Sequence, residues 1–130
     1  AYVERLVVAT VIEPLREEWE TAQARMDELV AAGDVVGARA VAHDVHRALC
    51  HLRILDPACG TGNFLYVALE LLKRLEGEVL ERIEALGGQE GLGLAGESVD
   101  PSQFLGIEKN PRAAAIAEVV LWVGYLQWQL

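Results

Sequence analysis

The chain has 130 residues, is 52% hydrophobic and carries a formal net charge of −9 at pH 7. That length and apolar content suit one folded domain and exclude a disordered tail, while the acidic balance excludes a surface that by itself grips nucleic acid, which needs concentrated Lys and Arg. No apolar run is long enough to span a bilayer and the N-terminal stretch is charged throughout, so the expected setting is soluble and cytoplasmic, with no membrane partner.

Residues 2 to about 32 read as helix, with Val3, Leu6, Val7, Val11, Leu15, Trp19, Ala22, Met26, Leu29 and Val30 at three- and four-residue steps. Pro14 predicts a kink, or two helices meeting near Glu13 and Pro14. Gly33 is a natural C-cap, and Asp34 caps a second helix over Val35 to Cys50 with Val35, Ala38, Val41, Ala42, Val45 and Leu49 on one face. His43, His46 and Cys50 share a side of this helix, and with no fourth ligand nearby they are expected to lie on a helix surface rather than to bind metal. Cys50 and Cys59 are too few for a disulfide framework and are expected to be free thiols.

A strand follows over Arg53 to Asp56, then a glycine turn, then a helix running to about Leu86. Thr61 or Asn63 is the expected N-cap, and Phe64, Val67, Ala68, Leu71, Leu72 and Leu75 the expected buried stripe. Gly77 is expected to weaken the middle of this helix. The charges in "EPLREEWE" and "ELLKRLEGEVLERIEA" read as solvated faces. Residues 87 to 102 hold five glycines in their first ten positions and predict a long loop. "QFLGIE", Gln103 to Glu108, predicts a short strand ending in an acid. A last helix begins with Asn110 as N-cap and Pro111 at its first position. Trp19 and Trp122 fall on apolar stripes and are expected in the core, whereas Trp128 reads as surface that further chain would cover.

Helix, helix, strand, helix, strand, helix predicts an α/β fold with parallel strands, divided into an N-terminal helical segment at 1–52 and the first half of a nucleotide-type domain at 53–130. Two strands make a poor sheet, so the chain reads as part of something larger, with exposed apolar surface through which it would self-associate.

The stretch "RILDPACGTGNFL" carries the chemistry. Glycines after a first strand let backbone amides and a helix N-terminus approach a polar ligand. A dinucleotide site wants a third glycine where Leu65 stands, and an acid about 20 residues on. Here the strand-tip acid Glu108 lies 48 residues after Gly60. Asp56, beside the turn, would repel a pyrophosphate and attract an ammonium group. S-adenosylmethionine, cationic and without phosphates, fits better, with Glu108 placed to accept from the ribose hydroxyls.

"LDPACGTGNFL" resembles motif I of the amino-directed, S-adenosylmethionine-dependent DNA methyltransferases, and "FLGIEKNPRAAAIAEVVLWVGYLQW" resembles the segment that follows it. "YVERLVVATVIEPLREEW" is similar to a helix following a further cofactor motif that is not present here. The large bacterial adenine-N6 methyltransferases of restriction and phage-defence systems are the family implied. The resemblance implies a partial Rossmann-like class I methyltransferase fold and S-adenosylmethionine as cofactor. Asp56, Ala58, Cys59, Gly60, Gly62 and Phe64 would line the methionine side, Glu108 would hold the ribose and Lys109 would flank the adenine. Cys59 is expected to be a small turn residue rather than a nucleophile. DNA would be contacted through regions outside these residues.

Methyl transfer to an exocyclic amine in that family uses an Asn/Asp-Pro-Pro-aromatic motif, whose oxygens accept from the target amine. The four prolines, Pro14, Pro57, Pro101 and Pro111, are nowhere adjacent. Asn110-Pro111 opens a helix and is expected to be only a cap. No catalytic residue is therefore assigned, and these residues alone are expected not to methylate. RNA or a protein glutamine amide as acceptor, and a noncatalytic interaction module, stay open as alternatives.

Overall fold

The computed structural model describes residues 2–87 and 97–130. The glycine-rich part of the predicted loop, 88–96, lies outside the described residues.

Tyr2–Val7 (α1), a π-helical stretch Val8–Ile12 and Glu13–Ala31 (α2) follow one another without a break. The interruption expected at Pro14 is the widened π turn just before it. Pro14 thereby falls in the first turn of α2, where a missing N–H is tolerated. The end of α2 forms a Schellman motif: Gly33, at φ +82°, donates to Val30 O and Asp34 N to Leu29 O. The Asp34 carboxylate then accepts from Gly37 N at 2.8 Å and starts α3, Val35–His51.

Strand β1, Ile54–Asp56, leads through the glycine turn to α4, Asn63–Ala85, which runs unbroken through Gly77. A 3-10 turn at Pro101–Gln103 precedes β2, Phe104–Gly106, and α5 spans Pro111–Gln129. Gln103, expected in the strand, instead closes the turn before it. Asn110 Oδ1 accepts from Arg112 N and Ala113 N, the expected N-cap. β1 and β2 are parallel, pairing Ile54 with Phe104, Leu55 with Leu105 and Asp56 with Gly106.

Helix α4 is central, packing on α1, α3, α5 and both strands, while α2 packs on α3. Its buried side is Leu65, Leu69, Leu72, Glu76, Val79 and Ile83, with Ala68, Lys73 and Leu75 beside them. Phe64, Val67 and Leu71, expected in the stripe, are only half-buried. The true stripe is rotated by about one residue, because polar Lys73 and Glu76 lie within it. Outside the core, bidentate Arg16–Glu78 and single Arg82–Asp27 bonds tie α2 to α4.

Helix α5 sits close to α4. A Cβ on Gly62 would lie 3.0 Å from Ala117 Cβ, and one on Gly124 would lie 2.6 Å from the Tyr66 ring. Trp19 is buried as expected, but Trp122 is 46% exposed and meets Tyr125 edge to face. Because α5 is apolar nearly all round, periodicity cannot choose its inner face; the small residues Ala117 and Gly124, with Leu121, make it.

Candidate functional site

The glycine turn is built by the strands that flank it. Gly60 and Gly62 take φ values of +56° and +87°, which side chains with a Cβ rarely adopt. Turn and strands are laced together: Ile107 N donates to Asp56 O, Cys59 N to Ile107 O and Gly62 N to Cys59 O. Neither Thr61 nor Asn63 caps α4. Its N-cap is Gly62, which has no side chain to offer, so the first-turn amides of α4 are left without a side-chain partner.

Two carboxylates sit at the strand tips. Asp56 Oδ1 accepts from Ala58 N at 3.0 Å, the local turn bond that an Asp at a strand end commonly makes. Its other oxygen has no partner among the described residues. Glu108, two residues beyond β2, accepts from Gly60 N with one oxygen and from Asn110 N with the other, both at 3.0 Å. The structure thus brings Asp56, Ala58, Cys59, Gly60, Gly62 and Glu108 together around one turn. Phe64 is half-buried in the first turn of α4 and Lys109 is exposed beside Glu108. Cys59 points inward against Gly106, where an added Cβ would come within 2.6 Å of its sulfur.

An apolar cleft of about 410 Å³ runs between β2 and α5, lined by Leu105, Gly106, Ala117, Leu121 and Trp122 among others. Cys59 of the glycine turn also lines it, whereas Asp56, Gly60 and Glu108 do not.

A second cluster lies in the core, and the sequence reading placed its members on solvated faces. Glu76 is 4% exposed at its side chain, Lys73 8% and His46 1%. Glu76 Oε1 accepts from Lys73 Nζ at 2.6 Å and from Ser98 Oγ at 3.3 Å; Oε2 accepts from His46 Nε2 at 2.9 Å and from Val99 N at 2.8 Å. Lys73 also donates to Ser98 Oγ and Val99 O, and its ammonium lies 5.5 Å from the Tyr125 ring centroid. Burial is tolerated because donors surround the carboxylate. The ligand atoms of His46, Cys50 and Glu76 lie within 4.8 Å of one another, and His43 is not among them. The Glu76 oxygens are already occupied, and the cluster reads as a hydrogen-bonded knot. Burial, then the Glu76 and Glu97 carboxylates, push the Cys50 thiol up to about 12, leaving it protonated and unreactive.

Burial would raise the Glu76 carboxyl, but the bonds from His46, Lys73 and Val99 outweigh it and hold the group at about 2, against an ordinary 4.5. A depressed carboxyl stabilises the fold fully above its unfolded value and loses that contribution as pH falls through the folded one. Thermal midpoints are therefore expected to drop between about pH 4.5 and pH 2, and more shallowly in Lys73→Met/Glu76→Leu. An equally steep drop in that variant would assign the acid sensitivity elsewhere.

Strand, glycine turn, helix, and an acid past the neighbouring strand make up the candidate site, and the family of the chain follows from its likeness to known proteins. The family described as "MmeI, DNA-methyltransferase domain" matches residues 33–130. The chain belongs to that DNA-methyltransferase domain family. It is 39% identical over 72 residues to DNA methyltransferase A of Bacillus subtilis (strain 168), a match covering 55% of this chain and 8% of that protein. It superposes on the Type IIL restriction-modification enzyme MmeI, solved in complex with DNA, with a TM-score of 0.71 and 31% identity over 95% of this chain and 15% of that one. The chain therefore spans a small part of both relatives.

Proposed function

We propose that this chain is the cofactor-binding part of an S-adenosylmethionine-dependent methyltransferase that, when complete, methylates adenine N6 in DNA within a restriction-modification or phage-defence system. Residues 53–130 would form the first half of a Rossmann-like domain, preceded by the helical segment 1–52. The reading is carried by Glu108 held against Gly60 N at 3.0 Å, next to Asp56, at a turn with an uncapped helix behind it.

The residues fit the cofactor. A Cβ on Gly60 would meet nothing within 4 Å, so the turn is open on the side where a ligand would approach. The unpartnered oxygen of Asp56 suits an ammonium group, and Glu108 keeps lone pairs for two ribose hydroxyls beyond the two amides it already accepts. Ala58, Cys59, Gly62 and Phe64 would complete the methionine side, and exposed Lys109 would flank the adenine. When bound, S-adenosylmethionine supplies an electrophilic methyl group. This chain's own task is to hold and orient its carrier. DNA as the partner is supported by the DNA methyltransferase among its relatives and by the DNA-bound enzyme it superposes on. DNA would be engaged by regions beyond this strongly acidic chain.

Calorimetry of the full-length protein with S-adenosylmethionine tests the reading. Asp56→Ala and Glu108→Ala are each expected to weaken binding by roughly tenfold or more, since each removes a charged hydrogen-bond partner. Undiminished affinity in both would overturn the assignment of the site.

A further inference from the structure

β2 is three residues long, and its middle residue, Leu105, and its partner Leu55 are both exposed. The ladder has one buried face, where Ile54 pairs with Phe104, so its register matters: a slip of one residue displaces the chain by about 3.3 Å and turns every side chain to the opposite face. Such a slip would break the 3.0 Å bond between Gly60 N and Glu108. Besides the Ile107 bonds just after the strand, a second set of bonds resists it from before the strand. Glu76, on α4, accepts from Val99 N. Asp100 and Gln103 then close a capping box, with Asp100 N donating to Gln103 Oε1 at 3.0 Å. Gln103 Nε2 donates to Leu49 O at 2.7 Å and Leu52 O at 2.8 Å. Those two carbonyls belong to the end of α3 and to the residue that follows it, just ahead of β1. One buried amide, on the residue immediately before β2, is thus tied to the approach to β1.

We infer that Glu76 and Gln103 are positioning residues for the cofactor site, clamping the lead-in of β2 to α4 and α3 and so setting the register that holds Glu108 against Gly60. This rests on the reading of Glu108 as a cofactor-holding group. Neither residue touches the turn itself, and both act through Glu108.

The test uses the full-length protein and S-adenosylhomocysteine, titrated calorimetrically into wild type, Gln103→Leu, Glu108→Gln and the Gln103→Leu/Glu108→Gln pair. Gln103→Leu is expected to weaken binding about tenfold, and to add almost nothing to the loss caused by Glu108→Gln, because both changes remove the same contribution. A purely structural role predicts no specific loss, or losses that add. Either result in a folded Gln103→Leu overturns the inference while leaving the cofactor reading intact. Wild type that fails to bind, or Glu108→Gln that binds as wild type, overturns both. Should Gln103→Leu not fold, Lys73→Met/Glu76→Leu, which frees Val99 N without stranding a charge, carries the same comparison.

Discussion

Replacing Glu76 alone with leucine is expected to destabilise the protein by about 3–5 kcal/mol, the usual cost of removing one partner of a buried ion pair. The Lys73 ammonium would remain almost fully buried without its 2.6 Å carboxylate, and Val99 N and His46 Nε2 would lose their acceptor. Thermal unfolding should register this as a fall on the order of 10–20 °C. Removing Lys73 at the same time should recover much of the loss, since a buried pair exchanged for well-packed apolar residues is often near neutral. A single variant as stable as the double would mean that Lys73 reaches water or another anion, and that the knot is not the buried unit described above.

The second large effect separates two neighbouring glycines. Gly62→Ala combines a left-handed backbone, which costs an ordinary residue about 1–2 kcal/mol, with a methyl 3.0 Å from Ala117 Cβ and 3.1 Å from its Cα. Overpacking of that kind adds about 1–3 kcal/mol, so a total on the order of 2–5 kcal/mol is expected in urea unfolding. Gly60→Ala carries only the backbone cost, because its methyl meets nothing. That methyl projects to the open side of the turn, so Gly60→Ala should lose S-adenosylmethionine binding while staying folded. If Gly60→Ala bound normally and Gly62→Ala proved as stable as wild type, the turn would have neither its proposed ligand face nor its close contact with α5.

The glycine turn was the most legible part of the chain. Proline, paired glycines and a strand-end acid have few uses other than a tight turn, and they locate the helix and the second acid with them. The helix caps at Gly33, Asp34 and Asn110 were equally plain, since each satisfies backbone groups in its own neighbourhood. The buried knot was missed because Lys73, Glu76 and His46 were weighed as charges, and charges normally face water. A signal was nonetheless present: Leu65, Leu69, Leu72, Glu76, Val79 and Ile83 advance in steps of four and three, with Glu76 in a core position. His46 likewise falls in step with Ala38, Ala42 and Leu49. An ionic residue in phase with an apolar stripe is a prediction of a buried partner. Lys73, three residues before Glu76, is such a partner and is legible, whereas Val99 and His46 lie 23 and 30 residues away and are not. Trp122 failed for the opposite reason, because a helix apolar on every side offers no phase to read.

The lacing of the glycine turn also bears on how a ligand would meet it. Glycine loses more backbone freedom on folding than any other residue, and two of them are held here at positive φ. The bonds that hold them come from Ile107 O, Cys59 O and the Glu108 carboxylate, all within this chain. Their ordering cost is thus met by folding rather than by binding, which leaves a molecule settling against Gly60 free of that entropic penalty. The turn thus takes its shape from bonds of its own, and under the proposed function it would seat the cofactor with little further ordering.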